Sequence, residues 1–226
     1  MDLHRTTMTV VALLCACPVA AQEDVPKLIF GVDVVSDYVS NGVSQTDGKA
    51  AIQPYVEATM RGFYAGLWAS NVDFDDGDDW EIDVYLGYRR LFANDLFMDV
   101  GYARYFYDDS GDCCGEAKLT LGYPLGDQFG VTGYVAYNPV SDDFNRRVTL
   151  AYEPTPNLGF AGAYGYSDGY DHEYWNVGGS YSINDTWSVG LVYQGSGSGD
   201  EGLVLRLSLG SLETPLFRLL GAPLQR

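Results

Sequence analysis

The sequence predicts an all-β chain that closes into an antiparallel, up-and-down transmembrane β-barrel of about twelve strands. Three observations predict it. Segment after segment alternates apolar and polar residues with a period of two, most cleanly where Trp80, Ile82, Val84, Leu86 and Tyr88 stand against Glu81, Asp83, Tyr85 and Gly87. The connections alternate too, long and mostly acidic after odd strands and short after even ones. Outer-membrane barrels have this asymmetry between extracellular loops and periplasmic turns. Aromatic residues also recur near both ends of the apolar faces, as Trp80 and Tyr88, Phe129 and Tyr137, Trp175 and Tyr181, and Trp187 and Tyr193. They are the expected interfacial girdle.

Taken in order, residues 1–21 read as a secretory signal. His4 and Arg5 precede a short apolar core at Val10–Ala16, and Val19-Ala20-Ala21 sets small residues before a cut at Gln22. That core is too short to cross a bilayer as a helix, so the expectation is export to the outer membrane. The barrel domain is expected over residues 22–210, with a tail over 211–226 that lacks the terminal aromatic residue such barrels usually carry. The first strand is Leu28–Val39, followed by a polar loop, Ser40–Lys49. Ala50–Met60 and Phe63–Phe74 form a hairpin, because only Arg61-Gly62 separates them.

After the charged loop Asp75–Asp79 come Trp80–Tyr88, a short turn near Leu91–Asp95, and Leu96–Tyr107. An acidic loop at Asp108–Gly115 leads to Glu116–Tyr123, a tight turn at Pro124–Asp127, and Gln128–Asn138. Pro139–Phe144 precedes Arg147–Glu153, and Pro154–Asn157 turns into Leu158–Tyr166. A wet loop, Ser167–Glu173, precedes Tyr174–Ile183. Asn184-Asp185 turns into Thr186–Gln194, and the flexible Gly195–Glu201 loop leads to Leu203–Gly210.

Three phrases carry a family resemblance: Ser36-Asp37-Tyr38-Val39, Gly42 to Lys49 (GVSQTDGK), and Phe63 to Phe74 (FYAGLWASNVDF). In them the chain resembles the TorF family, proteobacterial proteins assigned to the porin class. The match is dense from about Val32 to Tyr88 and thin beyond. Members often carry Phe-Arg where this chain has Ser40-Asn41, and Pro where it has Ala50. The resemblance implies a porin-like outer-membrane barrel and no particular mechanism.

The formal net charge is −18, from 31 acidic against 13 basic residues, which excludes nucleic acid as a partner. With 46% hydrophobic residues and 18 tyrosines, the acidity is not a sign of disorder. Cys113 and Cys114 are adjacent and could form a vicinal disulfide, pair with another chain or stay reduced. No cofactor motif and no metal-ligand spacing is present. The run from Asp73 fails as a calcium-binding EF-hand, because Gly77 and Val84 fall where oxygen ligands are needed.

The expected function follows from the wet faces. Asp33, Asp37, Glu57, Glu81, Asp83, Asp99, Lys118, Arg147 and Arg206 are the candidate lumen-lining residues. Acid outnumbers base among them, so the expectation is a channel for small solutes or ions with a weak preference for cations, seated in outer-membrane lipid. Arg104 alone falls on the apolar face, where it can snorkel or follow a bulge. Two alternatives remain. In one, Tyr55, Tyr85, Tyr105 and Tyr134 fill the lumen, and a closed structural or adhesive barrel acts through its acidic loops. In the other, His172 and a serine such as Ser167 form a lipase-like site.

Overall fold

The computed structural model describes residues 25–210 apart from residue 76. The signal and tail expected at the two ends lie outside the described residues. The strands are β1 (Lys27–Val35), β2 (Val39–Ser40), β3 (Val43–Ser44), β4 (Ala51–Met60), β5 (Phe63–Asn71), β6 (Trp80–Leu91), β7 (Phe97–Tyr107), β8 (Gly111–Pro124), β9 (Phe129–Asn138), β10 (Asp143–Thr155), β11 (Leu158–Ser167), β12 (His172–Ser182), β13 (Trp187–Ser196) and β14 (Glu201–Gly210). All but β2 and β3 form one closed barrel in which each strand pairs antiparallel with its neighbours. β1 closes the ring by pairing β14 on one side and β4 on the other. β2 and β3 form a small hairpin of their own.

The barrel is a globular fold turned inside out. Ile52, Val56 and Met60 of β4 are exposed while Gln53 and Glu57 are buried; on β6, Ile82, Val84 and Leu86 are exposed while Glu81 and Asp83 are buried. Such an exterior suits hydrocarbon, and the closed sheet leaves no unpaired edge to face it. The Arg61-Gly62 turn works because both residues have positive φ, 53° and 88°, which matches the twist of the strands it joins.

Three expectations need correction. β1 stops at Val35 and not Val39, because Ser36 turns aside to bond Leu205 through both its amide and its hydroxyl, each at 2.9 Å. Asp108–Gly115 is not a loop: β8 begins at Gly111, and a shift of register opposite Tyr105 and Phe106 leaves Cys113 as the extra residue of a β-bulge. Strands likewise run into other acidic stretches, so the connections at this end shrink to 108–110, 139–142, 168–171 and 197–200. Only 36–50 and 72–79 remain long there. A polar residue at the mouth of a barrel can still pair its backbone in the sheet, so polarity alone did not mark where strands end.

Arg104 lies on the outer face, as its position in the alternation demands. Its guanidinium is held there by Asp112 in a two-bond pair, 2.7 Å at each nitrogen. The bulge brings that carboxylate alongside. Val84, by contrast, is mid-strand, outward and uncharged. Val84→Arg should cost about 2–4 kcal/mol of insertion energy and block assembly, whereas the inward Asp83→Asn should assemble normally. Heat-modifiable gel mobility after refolding into bilayers checks this; equal tolerance of both changes would contradict a lipid-facing exterior.

Candidate functional site

The interior is organised by a segment that composition marks only as a polar loop. Residues 36–50 do not project from the mouth. They fold into it as a strap. Tyr38 is 9% exposed and packs edge-on against Trp68 of β5 at 5.4 Å between ring centres. Around this pair, Val35, Ala51, Val72 and Val204 form an apolar cluster inside the barrel. These residues occupy inward positions where water would otherwise stand, and covering them is what holds the strap down.

Hydrogen bonds fix its course. The Tyr38 amide donates to the Thr46 hydroxyl at 3.1 Å, and the Ser44 and Thr46 hydroxyls donate to Asp37 at 2.6 and 2.9 Å. The tip crosses to the far wall. Asn145 of β10 donates to the Asn41 side chain at 2.7 Å, and His172 of β12 bonds the Asn41 carbonyl at 3.1 Å. At Gly42 (φ +81°), a side chain would collide with Tyr174 and Ser196, so the tip is seated directly on β12 and β13.

The strap divides the lumen. On one side is a cavity of about 130 Å³ bordered by Asp33, Asp37, Trp68, Arg147, Asn176, Gln194 and Arg206. On the other is one of about 240 Å³ bordered by Glu81, Asp83, Tyr105, Glu116, Lys118, Asp143 and Arg147. Tyr38, Asn41 and Arg147 line both.

All nine candidate lumen residues lie on the inner side of the wall or on the strap. Six of them fall into four arrangements. Near the tight-turn end, Arg89 makes a two-bond pair with Glu57 (2.7 and 3.0 Å) and reaches Asp99 at 2.9 Å, while its guanidinium stacks 3.8 Å over Tyr64. Lys118 lies 3.4 Å from Glu116, which also accepts a 2.6 Å bond from Tyr105. Glu81 accepts from Tyr38 at 3.1 Å and lies on the same face as Asp83. Arg147 stacks 4.9 Å over Tyr134, and among the described residues its Nε has no hydrogen-bond partner.

Arg89, Glu116 and the strap escaped the sequence reading. Arg89 stands after the point where the alternation seemed to end, and Glu116 opened a strand that really begins at Gly111. For the strap a signal existed: Val35, Trp68 and Val204 break the polar face near one end, and apolar positions inside a wet barrel need a cover.

The interior tyrosines do not all project into the passage. Tyr85 lies flat against Gly66, and Tyr64 against Gly87 and Gly101, so closely that any side chain at those glycines would collide with the ring. Glycine and aromatic residue on adjacent strands make a thin wall.

The eight aromatic residues expected to form a girdle all face outward, several in pairs: Phe63 with Tyr88 at 4.8 Å, Phe129 with Tyr152 at 4.6 Å, Tyr137 with Phe144 at 4.8 Å and Trp175 with Tyr193 at 5.4 Å. Trp80, Tyr181 and Trp187 are exposed. Cys113 and Cys114 are bonded to each other. His172, expected within the wet loop Ser167–Glu173, instead opens β12 and is 9% exposed. Its backbone faces Ser167 across the ladder, yet its Nε2 is engaged by the strap.

At the mouth, Asp78 docks on 108–110. Asp78 accepts bonds from the Ser110 hydroxyl (2.7 Å), the Ser110 amide (2.9 Å) and the Asp109 amide (2.9 Å). These donors hold its carboxyl below the ordinary carboxylate range.

A family model described as "Bacterial protein of unknown function (Gcw_chp)" matches residues 20–203. No curated protein matches the chain. Among solved structures it is similar to the KdgM porin, with a TM-score of 0.62 at 11% identity, covering 83% of this chain and 99% of that one. A second structure, "KdgM porin in complex with disordered oligogalacturonate", gives 0.61 at 10% identity, covering 83% of this chain and 99% of that one. The NanC porin gives 0.53 at 11% identity, covering 81% and 99%. At these identities the likeness is one of fold.

Two outcomes are expected. Tyr38→Ala removes the buried ring that pins the strap, at a cost on the order of 3–5 kcal/mol for a large aromatic residue. The barrel, closed by its own ladder, should still form, and trypsin should now cut at Lys49 in folded protein. A strap that stays protected in this variant would contradict its anchoring by Tyr38. The second concerns pH. Asp78 has a depressed folded pKa, so its contribution is complete above the ordinary carboxylate pKa near about 4 and is lost as pH falls through the lowered value. Exchange protection of the Asp109 and Ser110 amides should therefore hold at neutral pH and drop in acid, and Asp78→Asn should weaken it at neutral pH and abolish the further drop in acid.

Proposed function

We propose that this chain, which belongs to the Gcw_chp family of bacterial proteins, is an outer-membrane porin-like channel with a preference for cations. The observation that carries the reading is a charged, cavity-bearing interior inside an apolar, closed barrel. Such an interior is costly to build and contributes little to a purely structural barrel. The porin fold shared with KdgM and NanC and the resemblance to the TorF family point the same way.

Selectivity follows from which charges remain uncompensated. The inward acids include Asp33, Glu57, Glu81, Asp83, Asp99 and Glu116, and the inward bases include Arg89, Lys118, Arg147 and Arg206. Glu57 and Asp99 are spent on Arg89, and Glu116 on Lys118. On the larger cavity Glu81, Asp83 and Asp143 then outnumber Arg147 and give it a net negative character. Negative charge in a narrow passage raises the local cation concentration, and salt screens the effect over about 10 Å at 0.1 M.

A second reading has its own support. The strap, with its apolar cluster, narrows the mouth from wall to wall, as a closed barrel acting through its exterior would require. Conductance separates the two.

Refolded protein in planar bilayers should conduct, with a potassium-to-chloride permeability ratio above one that falls as salt rises. Glu81→Gln with Asp83→Asn should bring the ratio toward one. Glu57→Gln should change it less, because Arg89 keeps Asp99. An anion-selective pore, or silence at every voltage in a folded sample, would refute the reading.

A further inference from the structure

The smaller cavity holds charges that the channel reading does not use. Arg147 and Arg206 both border it, and among the described residues neither is in an ion pair. Asp33, 7% exposed, borders it as well and has no ion pair or hydrogen bond to its side chain among those residues. Asp37, the other acid on this cavity, is engaged by Ser44 and Thr46. The Nε of Arg147 is shielded from water and unpartnered. Elsewhere in the lumen basic groups have found carboxylates, as Arg89 and Lys118 have, so leaving these three apart is specific to this corner.

We infer that this cavity is a binding site for a small zwitterionic solute of the free α-amino-acid class, its carboxylate taken by Arg147 and Arg206 and its ammonium group by Asp33. Asp33 and Arg206 stand on the adjacent strands β1 and β14, and Arg147 on β10, four strands further round the barrel, so the closed sheet holds Arg147 across the space from the other two. A simple anion would gain the guanidiniums but stand against Asp33. A simple cation would gain Asp33 and stand against two guanidiniums. An uncharged solute would displace water and leave three ions unpaired, which is unfavourable in a desolvated site. A zwitterion alone satisfies both signs, and two guanidiniums offer the planar, forked donors that a carboxylate accepts best. A cavity of about 130 Å³ suits a small side chain. Asn176 and Gln194 on the same wall add neutral hydrogen-bonding groups. Arg147 also borders the larger cavity, so the same guanidinium faces both compartments.

The inference rests on the channel reading for how the solute arrives, but binding can be measured without conduction. The test is calorimetric titration of the refolded full chain in detergent with L-alanine, propionate or ethylamine at matched ionic strength. L-alanine should bind saturably at one site per chain, and propionate and ethylamine, its two charged halves, at least tenfold more weakly. Arg147→Gln and Asp33→Asn should each weaken alanine binding at least tenfold. Arg146→Gln, on the outer face beside Asp168, should leave it unchanged. Heat-modifiable mobility establishes that each variant is folded, and Arg206→Gln takes the place of Arg147→Gln if the latter is not. Propionate binding as tightly as alanine, or tightening in Asp33→Asn, would overturn the zwitterion site, as would ethylamine binding as tightly or no saturable binding by folded protein. Potassium conductance without amino acid keeps the two ideas apart: conduction without alanine binding removes the site alone, and alanine binding without conduction removes the channel alone.

Discussion

Everything in this molecule depends on the closure of the sheet at β1 and β14. A strand that faces hydrocarbon can leave no amide or carbonyl unpaired, and a ring is the only sheet without an edge. Closure requires an even run of antiparallel strands and brings both ends of the barrel chain to the side of the tight turns. It also reverses the usual roles of the two faces. The apolar side chains go outward to lipid, and the polar ones share an enclosed interior.

That reversal sets the problem the interior must solve. Charges enclosed by the wall are costly unless paired or hydrated, and several are paired. Arg89 gathers Glu57, Asp99 and the face of Tyr64 into one compact unit, and Lys118 joins Glu116 beside Tyr105. Where such pairing is absent, cavities stand, and their borders carry Glu81 and Asp83 on one side and Arg147, Arg206 and Asp33 on the other. The tyrosines laid on glycines thin the wall and preserve space that twelve strands could easily have lost.

The strap converts this space into two compartments. It is held by a conventional hydrophobic contact, Tyr38 on Trp68, placed inside a barrel whose interior is otherwise polar. Its far end rests on polar bonds from Asn145 and His172. One end is thus anchored by burial and the other by exchangeable hydrogen bonds, so the two ends differ in what they ask of the surrounding water.

The sequence by itself determined which side of each strand faces out. Alternation with period two is a property of neighbouring residues, and it places Val84 outward, Asp83 inward and Arg104 on the exterior without any knowledge of partners. The hairpin at Arg61-Gly62 was legible for the same local reason. Only the tertiary structure decided what the inward residues do. Whether Glu57 acts on a solute or is consumed by Arg89 depends on strands that lie side by side but are separated along the chain. Whether residues 36–50 wave in solvent or cross the lumen depends on Trp68 and Val204, far away in sequence, needing cover from water. Strand ends at the mouth were hidden likewise, because a polar residue such as Asp112 reads as loop until its backbone is seen paired and its carboxylate is seen holding Arg104. Local pattern specifies orientation, whereas pairing of charges and burial of a strap are contacts at a distance, which periodicity does not record.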